Sequence, residues 1–196
     1  GRTGQSTREG RDSGLRKSSE RAWSGDVEET KTKLSKLETG QLGERLAIEY
    51  LKSQGFSDAK SLNTNGNNFP VDLVHDHEVI EVKAGLVSNS EGAQKWRSTL
   101  GQPGPAESAW LEKASASVKE AWNEKKAEAV LRRKNKVVRE FSKTHGRSVK
   151  GKTITTIINP DKKTVDVFVF DGFHTRIGWN SDVAKKAFVG SYHYAT

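Results

Sequence analysis

The sequence predicts an α/β domain behind an N-terminal tail, and three observations carry that reading. First, only 33% of the 196 residues are hydrophobic and 30% are charged, too apolar-poor for the whole length to be packed. Second, two stretches place apolar residues at helical spacing, one after Thr39 and a longer one in the second half. Third, two pairs of short strand-like runs flank turn-rich segments.

In chain order, residues 1–36 read as a flexible tail or linker and 37–196 as the domain. Gly1 to Ser24 is rich in Gly, Ser, Thr, Arg and Glu, with Leu15, Ala22 and Trp23 as its anchors. Such a segment buries too little apolar surface to offset its ordering entropy. Thr39 is positioned to cap a helix running to about Gln54, with Gly55 as the stop. Its stripe is Leu42, Leu46, Ala47, Tyr50 and Leu51. Strand-like runs follow at Phe69–Val74 and Val79–Ala84. Residues 85–106 read as loop, broken by Gly101, Pro103, Gly104 and Pro105. A long helix is predicted from about Ala106 to Thr144, with Trp110, Leu111, Val118, Trp122, Ala129, Val130, Val137 and Phe141 on its buried side. A hairpin of Thr153–Ile158 and Thr164–Phe170 flanks Asn159-Pro160-Asp161-Lys162. Ser181–Phe188 is predicted as a last short helix.

Composition narrows the function classes. No run of eighteen apolar residues is present, so no membrane-spanning helix is expected, and no secretory leader is visible. Cys is absent, which excludes disulfides, thiolate catalysis and Cys-based zinc sites. Met is also absent, including at position 1, and the expectation is a processed product or a piece of something longer. Lys plus Arg exceed Asp plus Glu by 33 to 25, a net charge of +8 that suggests a polyanion partner.

The chemistry concentrates in Pro70-Val71-Asp72-Leu73-Val74-His75-Asp76-His77-Glu78-Val79-Ile80-Glu81-Val82-Lys83. A tight turn at Asp76-His77 would pair Val74 with Val79, Leu73 with Ile80, Asp72 with Glu81 and Val71 with Val82. Faces alternate along a strand, so Val71, Leu73, Ile80 and Val82 would form the core face, and Asp72, Glu81 and Lys83 the other. Facing carboxylates repel and weaken a hairpin unless a cation lies between them. Hard divalent ions take carboxylate oxygens and keep room for water. Lys83 is placed to orient a water or to offset charge growing on a phosphate. The competing reading is a cross-strand ion pair on a solvent face.

A wider pattern joins the hairpin to the helix before it: Leu42-Gly43-Glu44-Arg45-Leu46-Ala47, Tyr50-Leu51, Gly55-Phe56, Val71-Asp72-Leu73-Val74 and Ile80-Glu81-Val82-Lys83. This pattern resembles the PD-(D/E)xK nuclease superfamily, in particular its Holliday-junction resolvase-like and small endonuclease-like branch. The resemblance covers about residues 39–85, a quarter of the chain. It implies a restriction-endonuclease-like core, a mixed central sheet flanked by helices. It also implies Glu44, Asp72, Glu81 and Lys83 as catalytic residues, with Asp72, Glu81 and Glu44 holding Mg²⁺ or Mn²⁺. Pro70 departs from the pattern, being separated from Asp72 by Val71. Gln94 and Lys95 sit where similar folds carry a supporting Gln or Lys, although their own surroundings read as solvated loop.

Leu131–Lys152 holds nine basic residues against one acid, Glu140. Arg132, Arg133, Lys136, Arg139, Lys143, Arg147 and Lys150 are the candidates for phosphate contact; the rival reading is a solvated helix face. His75 and His77 straddle the expected turn and read as surface histidines. His145 and His174 lie beside basic residues. Trp110, Trp122 and Trp179 read as core, with base stacking by Trp179 as the alternative.

The resulting expectation is a metal-dependent endonuclease that hydrolyses DNA in preference to RNA, in the manner of a toxin-like or phage-borne module. It would act in a reducing compartment or be delivered to a cytoplasm. Its further partners would be an upstream domain, a processing partner or an inhibitor protein. The alternative is a non-catalytic nucleic-acid-binding module or a phage structural or packaging subunit.

Overall fold

The computed structural model describes residues 14–19, 30–63, 70–87, 116–173 and 182–195. They form seven strands and three helices: β1 (Leu15–Ser19), α1 (Lys36–Ser53), β2 (Lys60–Ser61), β3 (Leu73–His75), β4 (Glu78–Leu86), α2 (Ala116–His145), β5 (Lys150–Asn159), β6 (Thr164–Asp171), α3 (Asp182–Ala187) and β7 (Phe188–Tyr194). All seven strands join one mixed sheet in the order β1-β7-β6-β5-β4-β3-β2. β4 and β5 run parallel, and the other neighbours are antiparallel. A parallel pair needs a long crossover, and α2 lies within that connection.

Apolar alternation along the strands sorts the core onto both faces. Leu73, Ile80, Ile154, Ile158, Val165 and Val167 pack beneath Leu46, Ala47, Tyr50 and Leu51 of α1. The other face holds Val71, Val74 and Val79 with Val137 of α2 and Val149. Beside them, Ile157, Phe168 and Phe170 pack with Ala187 of α3.

α1 begins four residues before the expected start. Its cap is Ser35, not Thr39: the Ser35 hydroxyl accepts from the Glu38 N–H at 3.0 Å, and Glu38 accepts from the Ser35 N–H at 3.1 Å. Thr39 is buried inside the first turns, its hydroxyl donating to the Ser35 carbonyl at 2.8 Å. Gly55 ends the segment at a φ of 96°, as its position suggested. Gly43 is a close approach of α1 to the sheet, because a Cβ there would collide with the Ala84 Cβ and lie 3.0 Å from the Thr156 hydroxyl.

The first hairpin has the expected register at Leu73–Ile80 and Val74–Val79, with Asp76-His77 at the turn. It then departs from expectation. The ladder stops at Leu73, and the pairs Asp72–Glu81 and Val71–Val82 do not form. Asp72 instead donates its N–H to the Ile80 carbonyl at 3.0 Å, while its own carbonyl accepts from Leu62 at 2.8 Å. Val71 thereby turns to the α2 side of the sheet, opposite Leu73.

Three further segments differ from the sequence reading. Leu15–Ser19, expected within the tail, is an edge strand in which Leu15 pairs with Tyr194 and enters the core. An exposed strand edge is a template for pairing, and Leu15 supplies the apolar anchor. Phe188–Tyr194 is the strand β7, where the sequence reading placed no element beyond Phe188. The long helix is described from Ala116, so Trp110 and Leu111 lie outside the described residues, as do the side chains of Val118 and Trp122. Among the described residues, no helix is long and apolar enough to cross a membrane.

Candidate active site

Asp72, Glu44, Glu81 and Lys83 come from three elements that meet at the open end of the first hairpin. Asp72 occupies the break in the β3–β4 ladder. One of its carboxylate oxygens accepts the Val82 N–H at 2.8 Å, and the other accepts from the Asn63 side chain at 3.2 Å. Burial pushes its pKa up to about 7, and the charges of Glu81 and Glu44 push the same way against the Val82 N–H and Lys134. Asp72 thus sits in the negative field of two other carboxylates.

Glu44 stands one residue beyond Gly43, where α1 packs closely on Ala84 and Thr156 of the sheet. Its carboxylate accepts the hydroxyl hydrogen of Ser61 on β2. Glu44 and Asp72 line one cleft of about 290 Å³, together with Lys36, Leu37, Gly40, Gln41, Val82 and Ala84. The cleft opens between the first half of α1 and the end of the hairpin.

Glu81 and Lys83 point to the opposite face of β4, as their alternation with Val82 and Ala84 requires. Glu81 is 6% exposed. Lys83 Nζ lies 3.2 Å from one of its oxygens, and Lys134 Nζ, reaching in from α2, binds the other. Lys134 also donates to the Pro70 carbonyl at 2.5 Å. The structure therefore splits the four expected residues: Glu44 and Asp72 share a cleft, Glu81 and Lys83 share an ion pair under α2, and Asp72 lies within electrostatic reach of both groups.

Asp72 and Glu44 suit a hard divalent ion: both offer carboxylate oxygens to a cleft with room for water, and Asp72 is crowded by like charge. Among the described residues, no three His, Asp or Glu side chains are gathered as a ready ligand set. Glu81 is the member that fits least, since each of its oxygens already holds an ammonium group.

The basic segment divides in two. Arg132, Lys136, Arg139 and Lys143 are exposed at spacings of four, three and four residues, which makes one stripe on α2. Val130, Lys134, Val137 and Phe141 form the inward side. The stripe faces away from the sheet, and the cleft lies on the far face of that sheet. Arg133 and Lys150 are exposed as well. Arg147 is bound to Asp76, and Lys152 lies 2.7 Å from Glu78.

His75 is not a surface histidine. It is 2% exposed, stacks on Phe56 at 4.2 Å between ring centres, and shares a 2.8 Å hydrogen bond with Glu78. His77 is exposed, as expected, and so is His145, stacked on Phe141. Gln94, Lys95, His174 and Trp179 lie outside the described residues.

Sequence reasoning passed over two residues. Lys134 was visible only as one charge in a basic run, yet it sits four residues after Val130 and three before Val137, on the apolar stripe. That phase was a usable signal. Lys36, on the cleft wall, carried none. No family model, no curated protein and no solved structure matches this chain.

Proposed function

We propose that this protein is a divalent-metal-dependent nuclease that hydrolyses phosphodiester bonds of DNA. The observation that carries the reading is the position of the Asp72 carboxylate, at the broken end of a hairpin, in the combined field of Glu44 and Glu81. Two acids from separate elements, Glu44 and Asp72, share the cleft while Glu81 acts on Asp72 from the other face through its charge, a like-charge cost that a cation relieves, and a lysine stands beside Glu81. The order of a helix, a short antiparallel hairpin and a crossover helix leading to a parallel strand agrees with the mixed sheet that the sequence resemblance implies.

In this reading Asp72 and Glu44 present oxygens into the cleft, and Mg²⁺ or Mn²⁺ bound there supplies the positive charge that polarises a phosphate. Lys83, partly exposed, is given the task of holding a water or offsetting charge on a phosphate oxygen; its pairing with Glu81 on the face of β4 opposite the cleft is what argues against that task. Lys36 on the cleft wall offers a cation to the neighbouring backbone. The test is incubation of circular plasmid with Mg²⁺, with and without chelator. Nicked or linear product from the wild type only, abolished by chelator and by Asp72→Ala, is the expected outcome.

One observation favours a second reading. The Arg132–Lys143 stripe faces away from the cleft, as it would in a module that binds nucleic acid without cutting it. Intact plasmid under every condition, with binding retained, would select that reading.

A further inference from the structure

We infer that Lys134 is a resident cation that takes Glu81 out of the ion site, leaving Asp72 and Glu44 as the carboxylates available to a divalent ion. The inference rests on the metal-dependent reading above and changes its ligand set. Lys134 is 3% exposed, whereas Arg132, Arg133 and Lys136 around it are exposed. Its helical phase places it among Val130, Val137 and Phe141, where an ammonium group is costly unless fully paired. It is paired twice, to Glu81 on β4 and to the carbonyl of Pro70, two residues before Asp72. Lys134 therefore ties together the two chain segments that carry the acids.

The charge count shows the consequence. With Asp72 ionised, as it must be to hold an ion, Glu44, Asp72 and Glu81 bring three negative charges, and their paired lysines Lys83 and Lys134 return two positive ones, the exposed Lys36 of the cleft wall being left aside. A surplus of one negative charge faces an incoming divalent ion. Neutralising Lys134 raises that surplus to two and frees an oxygen of Glu81. An ion should then bind more tightly. A lysine that only props up the fold predicts the reverse, since its loss would loosen the cluster and weaken binding.

The experiment is calorimetric titration of the metal-free full chain with Mn²⁺, with circular dichroism to verify folding of each variant. Lys134→Gln should tighten Mn²⁺ binding about tenfold or more, the scale of one charge removed at a few ångströms in a partly buried site. Lys134→Arg should return it to the wild-type value. Because removing one partner of a buried pair is destabilising, a second variant removes both charges: Lys134→Met with Glu81→Gln. That double variant should bind Mn²⁺ within about threefold of wild type, because the pair already cancels, and it decides the matter if Lys134→Gln does not fold. Unchanged or weaker binding in folded Lys134→Gln, or a loss of about tenfold in the double variant, overturns the inference and returns Glu81 to the ligand set. Failure of the metal-dependent reading looks different. If the wild type binds no Mn²⁺ but Lys134→Gln does, Lys134 is still the resident cation and the metal-dependent activity falls. Absence of binding in both discards the two together.

Discussion

The Asp72 carboxylate accepts the backbone N–H of Val82 at 2.8 Å, so a side chain just before β3 takes the place of the backbone ladder that ends at Leu73. That bond fixes the acid where the hairpin opens. It also places a group of raised pKa at the edge of the cleft, and the consequences are measurable.

The first is a stability profile. Asp72 has an ordinary value near 4 when unfolded and about 7 when folded, so between those values the folded state binds more protons. Stability must therefore fall as pH rises from about 4 through about 7. The full shift corresponds to at most about 4 kcal/mol at 1.36 kcal/mol per unit. Asp72→Asn stays neutral at every pH and should remove this slope, melting higher than wild type at pH 8. Urea midpoints at pH 4.5, 6 and 8 measure it. Parallel wild-type and mutant profiles would show that Asp72 is not the group responsible.

Gly43→Ala sets two effects against each other. In a helix interior, alanine is better than glycine by about 1 kcal/mol. Here the new methyl meets the Ala84 Cβ and the Thr156 hydroxyl, and overpacking of this kind costs about 1–3 kcal/mol. The steric cost should win. The variant should unfold at lower urea and, by pushing α1 away from β4, widen the cleft beside Glu44. A variant more stable than wild type would mean that α1 can shift at no cost.

How much of this was legible follows from which interactions are local. The stripe of α1, the stop at Gly55, the turn at Asp76-His77 and the register at Leu73–Ile80 depend on neighbouring residues, and all were read from the sequence. β1 and β7 were missed because neither has a hairpin partner next to it in sequence. Leu15 meets Tyr194 across nearly the whole chain. The slip at Asp72 is not legible from the pairing rule, because Asp72 bonds to Leu62, outside the hairpin, and uses its side chain on Val82. Lys134 was missed because a run of like charges hides the member whose helical phase points inward.

Lys83→Ala separates chemistry from structure. Glu81 keeps Lys134, so the buried acid is not orphaned, and loss of a partly exposed pair costs at most about 1 kcal/mol. DNA binding should stay near wild type while cleavage falls by roughly 10² or more, the scale of one lost electrostatic contact in the transition state. Single-turnover cleavage at saturating protein reads the step directly. Cleavage within a few fold of wild type would make Lys83 an ion-pair partner of Glu81 and nothing more.

The stripe of Arg132, Lys136, Arg139 and Lys143 makes the last prediction, because its placement divides binding from cutting. Over about 16 Å of helix at 1.5 Å per residue, its four cations can follow several phosphates of one duplex. If they do, affinity should fall steeply with salt, with a slope of log K against log salt of about −0.9 for each phosphate neutralised. Replacing Arg132 and Arg139 by Ala should flatten that slope by up to about two units. Arg147→Ala should change it less, since that guanidinium is already bound to Asp76. Because the stripe faces away from the cleft, the Arg132 and Arg139 variants should keep the wild-type rate of cleavage once DNA is saturating. Binding to one duplex of fixed sequence at several salt concentrations, alongside single-turnover cleavage, supplies both numbers. A slope unchanged in the double variant would mark the stripe as a solvated face and move the search for phosphate contacts to Lys36 and the cleft wall.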